Sequence, residues 1–145
     1  MDKLHFEIHT DGGSRGNPGP SAIGVIIKGA TIEKKEYGEY IGITTNNVAE
    51  YTAAIFGLKK LKQLIGTEKA SRSTVMVHAD SELLVKQVNG EYKIKEETIR
   101  DLFLELWNLR LDYQKVDFTH VIREENTEAD KMVNHALDSE EHKLL

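Results

Sequence analysis

The sequence contains no cysteine, and only two prolines and one tryptophan among its 145 residues. Without cysteine there can be no disulfide, thiolate metal site or cysteine nucleophile, so any metal ion has to be bound by carboxylates or histidines. No stretch approaches the roughly 18 to 20 continuous apolar residues of a membrane-spanning helix, and the start of the chain lacks the apolar segment of a signal peptide. We therefore expect a cytoplasmic protein that contacts no membrane.

The composition is that of a folded protein, with 39% hydrophobic and 30% charged residues. The apolar residues are spread along the chain rather than pooled, which argues against disorder. The length falls in the usual range for one domain with one core. We predict a single domain over residues 1–145 and take a monomer as the default state.

The net charge of -5 is unusual for an enzyme that acts on nucleic acid, because phosphate backbones are bound chiefly by Lys and Arg. Four acids discussed below are candidate metal ligands. Without these four, the 19 basic residues are balanced by 20 acids instead of 24, and the net charge is -1. The charge therefore predicts a modest, salt-sensitive affinity for nucleic acid when no metal is bound.

The first third of the chain has the pattern of a β-meander. Residues 4–10 alternate strictly between apolar and polar side chains, which predicts a strand. Residues 11–20 contain four of the eleven glycines and both prolines, so a turn or loop follows. Two β-rich segments come next, with Gly29-Ala30 as the predicted hairpin turn. Three consecutive antiparallel strands are expected.

The remainder alternates between helical and strand patterns. Apolar spacings of three and four predict a helix over residues 47–65, followed by a buried strand that ends at Asp80. Helices are predicted over residues 81–88 and 96–113, then a strand over 116–123, and a last helix from an Asn126 cap to about Leu137. The order βββ, α, β, αα, β, α predicts an α/β fold with a mixed five-stranded sheet and helices packed on it.

Four acids occupy positions where a solvated charge is not expected. Asp11 and Asp80 close predicted strands, Glu50 lies on the apolar face of its helix, and Asp130 lies in the first turn of the last helix. A carboxylate that points toward the core is costly unless it is paired, hydrogen-bonded or bound to a metal. These four acids are candidate ligands for a cation.

Each acid alone has a simpler explanation. An Asp at a strand end is often a turn or cap residue, an acid in a first helical turn is favoured by the helix dipole, and an inward Glu can pair with a Lys or Arg. The local segments of the four offer no evident basic partner, and acids without cations repel each other. All-oxygen ligands select Mg²⁺ or Mn²⁺, and two such ions about 3.5 to 4 Å apart can hold the attacking water and the leaving oxygen of a phosphodiester.

Four segments in family order resemble the ribonuclease H type 1 family: TDGGSRGNPGP, NNVAEY, ADSELLVKQVNGEY and REENTEADKMVNHAL. The resemblance covers nearly the whole chain. It implies the ribonuclease H-like fold, with three antiparallel and two parallel strands and helices on both sides. It also implies cleavage of the RNA strand of RNA/DNA hybrids with 5′-phosphate and 3′-hydroxyl products, catalysed by two metal ions on Asp11, Glu50, Asp80 and Asp130.

The resemblance also implies substrate contacts. In the family, sugars and bases are contacted by the positions that match Gly12, Gly13, Asn17, Asn46 and Asn47. A DNA phosphate is held by the positions that match Thr45 and Asn46. Asparagine can donate to and accept from a 2′-hydroxyl, by which proteins distinguish RNA from DNA. An alternative role for one residue of Asn46-Asn47 is a helix cap. At a further substrate-binding position, many members have Gln where this chain has Glu82, which could still accept from a base or hydroxyl but adds negative charge.

This chain lacks two features of many family members. The basic, Trp-rich extension between the two middle helices that grips the DNA strand is absent, because residues 89–93 lead directly into the next helix. We also expect no separate hybrid-binding module before Asp11. We expect weaker hybrid binding as a result.

The histidines and the tryptophan carry less specific signals. His120 has the spacing of the family's catalytic histidine but lies within a predicted strand, so we interpret it as a structural strand residue. Arg123 is the candidate substitute; it cannot relay a proton near neutral pH, so its role would be phosphate binding or charge screening. We expect surface positions for His9 and His78. Trp107 and the leucines around it have helical spacing and are interpreted as core.

Two other functions remain open. One is a protein on the same fold that binds hybrids but has lost cleavage, and the presence of all four acids argues against it. The other is a ribonuclease H-like nuclease that acts also on double-stranded RNA, or an integrase- or exonuclease-like enzyme. The DGG and NNVAE segments favour the hybrid-cleaving branch.

Overall fold

A computed structural model of the chain describes residues 4–143. One five-stranded sheet has the order β3-β2-β1-β4-β5. The first three strands are antiparallel, while β4 runs parallel to β1, and β5 runs parallel to β4. The strands are β1 His5–Ser14, β2 Gly19–Gly29, β3 Ile32–Thr44, β4 Thr74–Ala79 and β5 Lys115–His120. The predicted mixed sheet is confirmed.

The helices follow the predicted order with one addition. They are α1 Asn46–Ile65, α2 Thr67–Ser71, α3 Glu82–Val88, α4 Glu97–Arg110 and α5 Thr127–Lys143, and a single 3₁₀ turn spans Arg123–Glu125. The short α2 was not predicted, because five residues are too few for a periodic pattern. Within residues 4–143, no helix is long and apolar enough to cross a membrane.

Helices cover both faces of the sheet, as predicted. The larger core lies between one face and α1, α3 and α4, and it includes Phe6, Ile8, Val77 and Leu58, each 0% exposed. The opposite face carries α5, whose Val133 and Leu137 pack against Ala22 of β2. The side chains of β1 and β4 therefore alternate between a closed core and a less covered face.

Several element boundaries differ from the prediction. The β2–β3 turn is Ala30–Thr31, since Gly29 pairs with Ile32 across the hairpin. Helix α4 ends at Arg110 rather than residue 113, β5 ends at His120 rather than residue 123, and α5 continues to Lys143. In the sequence, the regular apolar spacing continues beyond the ends of α4 and β5. It stops before the end of α5.

Two predictions about individual side chains are wrong. The side chain of Asn126 does not cap α5: it is buried and donates from Nδ2 to the carbonyl oxygen of Thr10 at 2.8 Å, which joins the start of α5 to β1. Trp107 is not a core residue, because it is 38% exposed and its ring lies under the Arg110 guanidinium at 3.6 Å. The neighbouring Leu104 and Leu111 are more exposed still, at 57% and 73%.

Two glycines let helices approach the sheet near the end of β1. A Cβ on Gly12 would lie 2.3 Å from the backbone carbon of Ala49 in α1, and one on Gly24 would lie 2.0 Å from the carbonyl oxygen of Ala129 in α5. Asp11 pairs with Gly24 across β1 and β2. The backbones of both helices therefore come close to the strand position that carries Asp11.

Candidate metal centre

Three of the predicted acids come together at the carboxyl ends of β1 and β4. Asp11 lies on β1, Asp80 directly follows β4, and Glu50 lies in the second turn of α1. One oxygen from each lies within 4.8 Å of the others, and this is the only group of three potential metal ligands found among residues 4–143. The two parallel strands and the first turns of α1 thus place three carboxylates at one point.

Glu50 is buried, and the backbone of β1 holds its side chain. It is 8% exposed, and its Oε1 accepts a hydrogen bond of 3.1 Å from the backbone N–H of Gly12. The same close approach that requires glycine at residue 12 therefore also orients this carboxylate. Its other oxygen, Oε2, is buried and has no hydrogen-bond partner in the described part of the chain. A buried, unpaired carboxylate oxygen is costly, so the donor set is suited to a cation.

The acids also change each other's pKa values. Burial raises the pKa of Asp11 to about 8, and the charge of Asp80 adds to the effect. Burial and the charges of Asp11 and Asp80 raise the pKa of Glu50 well above its usual range. Hard divalent cations such as Mg²⁺ prefer oxygen ligands of this kind. Binding of the cation would displace the protons that these carboxyl groups carry.

Asp130 lies nearby but outside this group of three. It is half-buried on the first turn of α5 and lines the same cavity of about 420 Å³ as the other acids. Its charge contributes to the raised pKa of Asp11. The Nδ2 of Asn134 lies 3.4 Å from Asp130 Oδ2. The predicted cluster of four is therefore three converging carboxylates and a fourth on the cavity wall.

Arginines border this cavity on two sides. Arg123 begins the 3₁₀ turn after β5 and is exposed. Arg15 follows β1, and its guanidinium forms 2.7 Å ion pairs with Asp138 and Glu141 of α5. Arg123 thus lies where the sequence predicts a substitute for the family's histidine.

The predicted polar contacts surround the start of α1. Thr45 is the helix cap, since its hydroxyl accepts from the N–H of Val48 at 3.3 Å, so neither residue of Asn46-Asn47 has the alternative cap role. Asn46 instead accepts from the N–H of Ser14 at 2.8 Å, and Asn17 accepts from the N–H of Asn46 at 3.1 Å. These bonds join the glycine-rich loop to α1. Gly13 and Asn47 also line the cavity.

Glu82 lies on α3, which follows Asp80 in the chain, and His120 lies on β5, the neighbour of β4 on the side away from β1. Glu82 begins α3 and forms a 2.7 Å ion pair with Lys86, which together with the charge of His120 lowers the pKa of Glu82. The added negative charge expected there is therefore paired. His120 is the last residue of β5, so the prediction that it lies in a strand is confirmed; its side chain is exposed, and its lack of a catalytic role stays a prediction.

A second groove, of about 480 Å³, continues from the cavity and shares Asn47 with it. Leu83 and Gln87 of α3 and the loop before α4 line it, and the loop contributes exposed Tyr92, Lys93 and Lys95. The sequence distinguishes this loop only as the place where a basic extension is missing. The sequence signal that could have revealed the groove is an aromatic residue among lysines, at a position that belongs to no regular spacing of apolar residues.

The prediction of surface positions for His9 and His78 is also wrong. Both rings are half-buried and stack on each other between β1 and β4, with centroids 4.3 Å apart and an angle of 11° between the planes. Burial lowers the pKa of His9 to about 4.

Comparisons with known proteins agree with this geometry. A family model described as Reverse transcriptase-like matches residues 9–136. A ribonuclease H from Hydrogenovibrio crunogenus is 31% identical over 91% of this chain and 94% of its own length. A bifunctional protein of Mycobacterium tuberculosis is 37% identical over 91% of this chain, but the match spans only 35% of that protein. The chain thus spans about a third of the mycobacterial relative.

A solved structure gives the same result in three dimensions. LC11-RNase H1 in complex with an RNA/DNA hybrid is similar with a TM-score of 0.85 and 42% identity. The alignment covers 92% of this chain and 97% of that one. The similarity therefore extends over the whole arrangement of sheet and helices that carries the acids.

Proposed function

This chain belongs to the ribonuclease H family, and on that premise we propose that it is an endoribonuclease that hydrolyses the RNA strand of RNA/DNA hybrids. The products would carry 5′-phosphate and 3′-hydroxyl ends. The observation that carries the proposal is the convergence of the carboxylates of Asp11, Glu50 and Asp80, including a buried Glu50 oxygen that lacks a hydrogen-bond partner among residues 4–143.

The carboxylates fit divalent metal ions. Asp11, Glu50 and Asp80 would hold Mg²⁺ or Mn²⁺, and Asp130 on the cavity wall would complete the ligands of a second ion. When bound, two such ions activate the attacking water and stabilise the charge that develops on the leaving oxygen. The protein supplies the ligand positions: strand ends fix Asp11 and Asp80, and the Gly12 N–H fixes Glu50.

Arg123 acts on the substrate rather than on a proton. Its exposed guanidinium borders the cavity and carries a permanent charge, so it binds a phosphate of the RNA strand. His120, on the far side of Asp80 from α5, stays outside the reaction in this proposal.

The RNA strand is recognised around the start of α1. Asn17, Asn46 and Asn47 present amide groups that can both donate to and accept from a 2′-hydroxyl. The N–H of Gly12 is bound to Glu50, so Gly12 contributes close backbone approach, and Gly13 lines the cavity beside it. Thr45 and the Asn46 amide would contact a phosphate of the DNA strand.

The groove beside α3 provides space for the second strand. The groove shares Asn47 with the cavity that holds the acids, and its two lysines, Lys93 and Lys95, can bind phosphates beside the two acids Glu91 and Glu96. Tyr92 is held by Lys86, whose ammonium lies 5.1 Å from the ring centroid. We therefore assign the groove to the DNA strand, with the Tyr92 ring against a sugar.

Matched duplexes test this function. The protein is incubated with an RNA/DNA hybrid, a double-stranded RNA and a double-stranded DNA of one sequence, each end-labelled, in Mg²⁺, Mn²⁺ or EDTA. We expect cleavage of the hybrid's RNA strand alone, with either metal and not with EDTA. Binding of the hybrid with intact RNA in both metals would contradict the enzyme proposal, and equal cleavage of double-stranded RNA would assign a broader substrate.

A further inference from the structure

A linkage of polar side chains joins β1 to β4 on the sheet face opposite the larger core. His5 Nδ1 lies 2.8 Å from Thr74 Oγ1, and His5 Nε2 contacts one oxygen of Glu7. The other oxygen of Glu7 lies 2.5 Å from His78 Nε2, and the His78 ring stacks on His9. The linkage passes repeatedly from one strand to the other. We refer to Glu7, His9 and His78 as the strand bridge.

The strand bridge ends directly before the acids. His9 is paired with His78 in the parallel register of β1 and β4. Asp11 and Asp80 follow these two histidines by two residues each. Alternate residues of a strand share one face, so Asp11 and Asp80 come next after the stacked rings on the same face.

The acids need such a support because they repel each other. One oxygen from each of Asp11, Glu50 and Asp80 lies within 4.8 Å of the others, so three like-charged groups share a small space. Helix α5 packs chiefly against β2 and β3 on this face, and less against β1. The half-buried bridge is therefore the side-chain connection between β1 and β4 next to the repelling carboxylates. Its ring spacing of 4.3 Å is close to the distance of about 4.8 Å between neighbouring strands.

We propose that Glu7, His9 and His78 are positioning residues, which hold Asp11 and Asp80 at the separation that a divalent ion requires. The proposal rests on the metal-dependent function proposed above. Side chains behind the direct ligands commonly fix ligand orientation, and their loss weakens metal affinity about 10- to 100-fold. Here Glu7 orients His78, and His78 and His9 hold the two strand ends in register.

Calorimetric titration with Mn²⁺ tests this role without substrate. We expect His78→Ala, which removes both the stack and the bond to Glu7, to weaken Mn²⁺ binding about tenfold. His78→Phe keeps a stacked ring and loses only the bond, so a smaller loss is expected. Met76→Ala is the matched control, since Met76 is half-buried two residues earlier on the same face of β4; we expect its affinity to stay within about twofold.

Thermal melting of each metal-free variant separates positioning from stability. The proposal is supported if His78→Ala and Met76→Ala lose similar stability and only His78→Ala loses metal affinity. Wild-type affinity in folded His78→Ala overturns it. Should His78→Ala not fold, the same criterion applies to Glu7→Gln. Absence of Mn²⁺ binding in the wild type would contradict the metal site itself, and therefore the proposed function as well.

Discussion

The acidic residues of the candidate metal centre and the residues of the surface around it differ in burial and in the elements that carry them. Asp11 and Glu50 are 7% and 8% exposed, and the sheet and α1 fix their positions. Asn46, Arg123 and Tyr92, which border the same cavity and groove, are exposed and lie on loops or at helix starts. A rigid buried centre is suited to chemistry, and an exposed surface is suited to binding a substrate of variable sequence. The predictions below test this division.

The largest effect is expected for Glu50→Gln. This change keeps the size of the side chain but removes the charge that would bind metal. We expect RNA cleavage to fall by about a hundredfold or more, since even side chains behind direct ligands cost 10- to 100-fold. Steady-state assays on a labelled hybrid measure the rate. The control is Glu105→Gln on the exposed part of α4, which removes the partner of Lys59 and should change the rate less than twofold.

A second effect concerns the stability of the metal-free protein. Burial and Asp80 raise the pKa of Asp11 from 3.8 to about 8. An acid whose pKa is higher in the folded state contributes stability while protonated, so this contribution is present below about pH 4 and is lost as pH rises through about 8. Asp11→Asn cannot ionise, and we expect it to raise the Tm at pH 9 by about 3 °C or more in EDTA.

Circular dichroism melts at pH 5, 7 and 9, with EDTA or with Mg²⁺, measure this difference. Mg²⁺ should stabilise the wild type at pH 9 more than it stabilises Asp11→Asn. The account is contradicted if both proteins lose the same Tm between pH 5 and pH 9 in EDTA, because the buried charge of Asp11 would then cost nothing.

A smaller effect is expected for Arg123→Ala. The side chain is exposed, so the loss of one phosphate contact should raise KM about fivefold or less and leave kcat nearly unchanged. The slope of log affinity against log salt concentration should decrease by about one. His120→Ala is the comparison and should alter KM less than twofold. A loss in kcat seen only in His120→Ala would reverse the assignment of these two residues.

The smallest effect is expected in the groove. Tyr92→Ala should raise KM for a hybrid about threefold, by removing the contact between its ring and a sugar. The matched change is Trp107→Ala, which removes an aromatic residue of α4 that lies outside the groove and should leave KM unchanged. Equal KM values for wild type and Tyr92→Ala would remove the DNA strand from this groove.

Local patterns were enough to predict the fold. The apolar face of β1 is visible in its strict alternation, and that of α1 in its helical spacing. The order of the elements then indicates the mixed sheet. The burial of Glu50 followed from its position in line with Ala54 and Leu58. These are properties of neighbouring residues, which a sequence displays directly.

Features that depend on contacts between distant segments were not predicted. Asn126 precedes a helix as a cap would, yet its amide binds Thr10, which is 116 residues away in sequence. The stack of His9 on His78 depends on the register of β1 and β4, and the exposure of Trp107 depends on which face of α4 meets α1. Asp130 lies outside the group of three, on α5, and the position of this helix depends on its distant contact with β2, where the Ala129 backbone lies against Gly24.

The most direct test of the division between chemistry and binding is a single-turnover assay of Asp80→Asn with a saturating RNA/DNA hybrid, with the hybrid Kd measured on the same samples. We predict that the variant binds the hybrid within about threefold of the wild type and cuts its RNA strand at least about a hundredfold more slowly. Cleavage at the wild-type rate would show that the carboxylates at the ends of β1 and β4 do not carry the reaction.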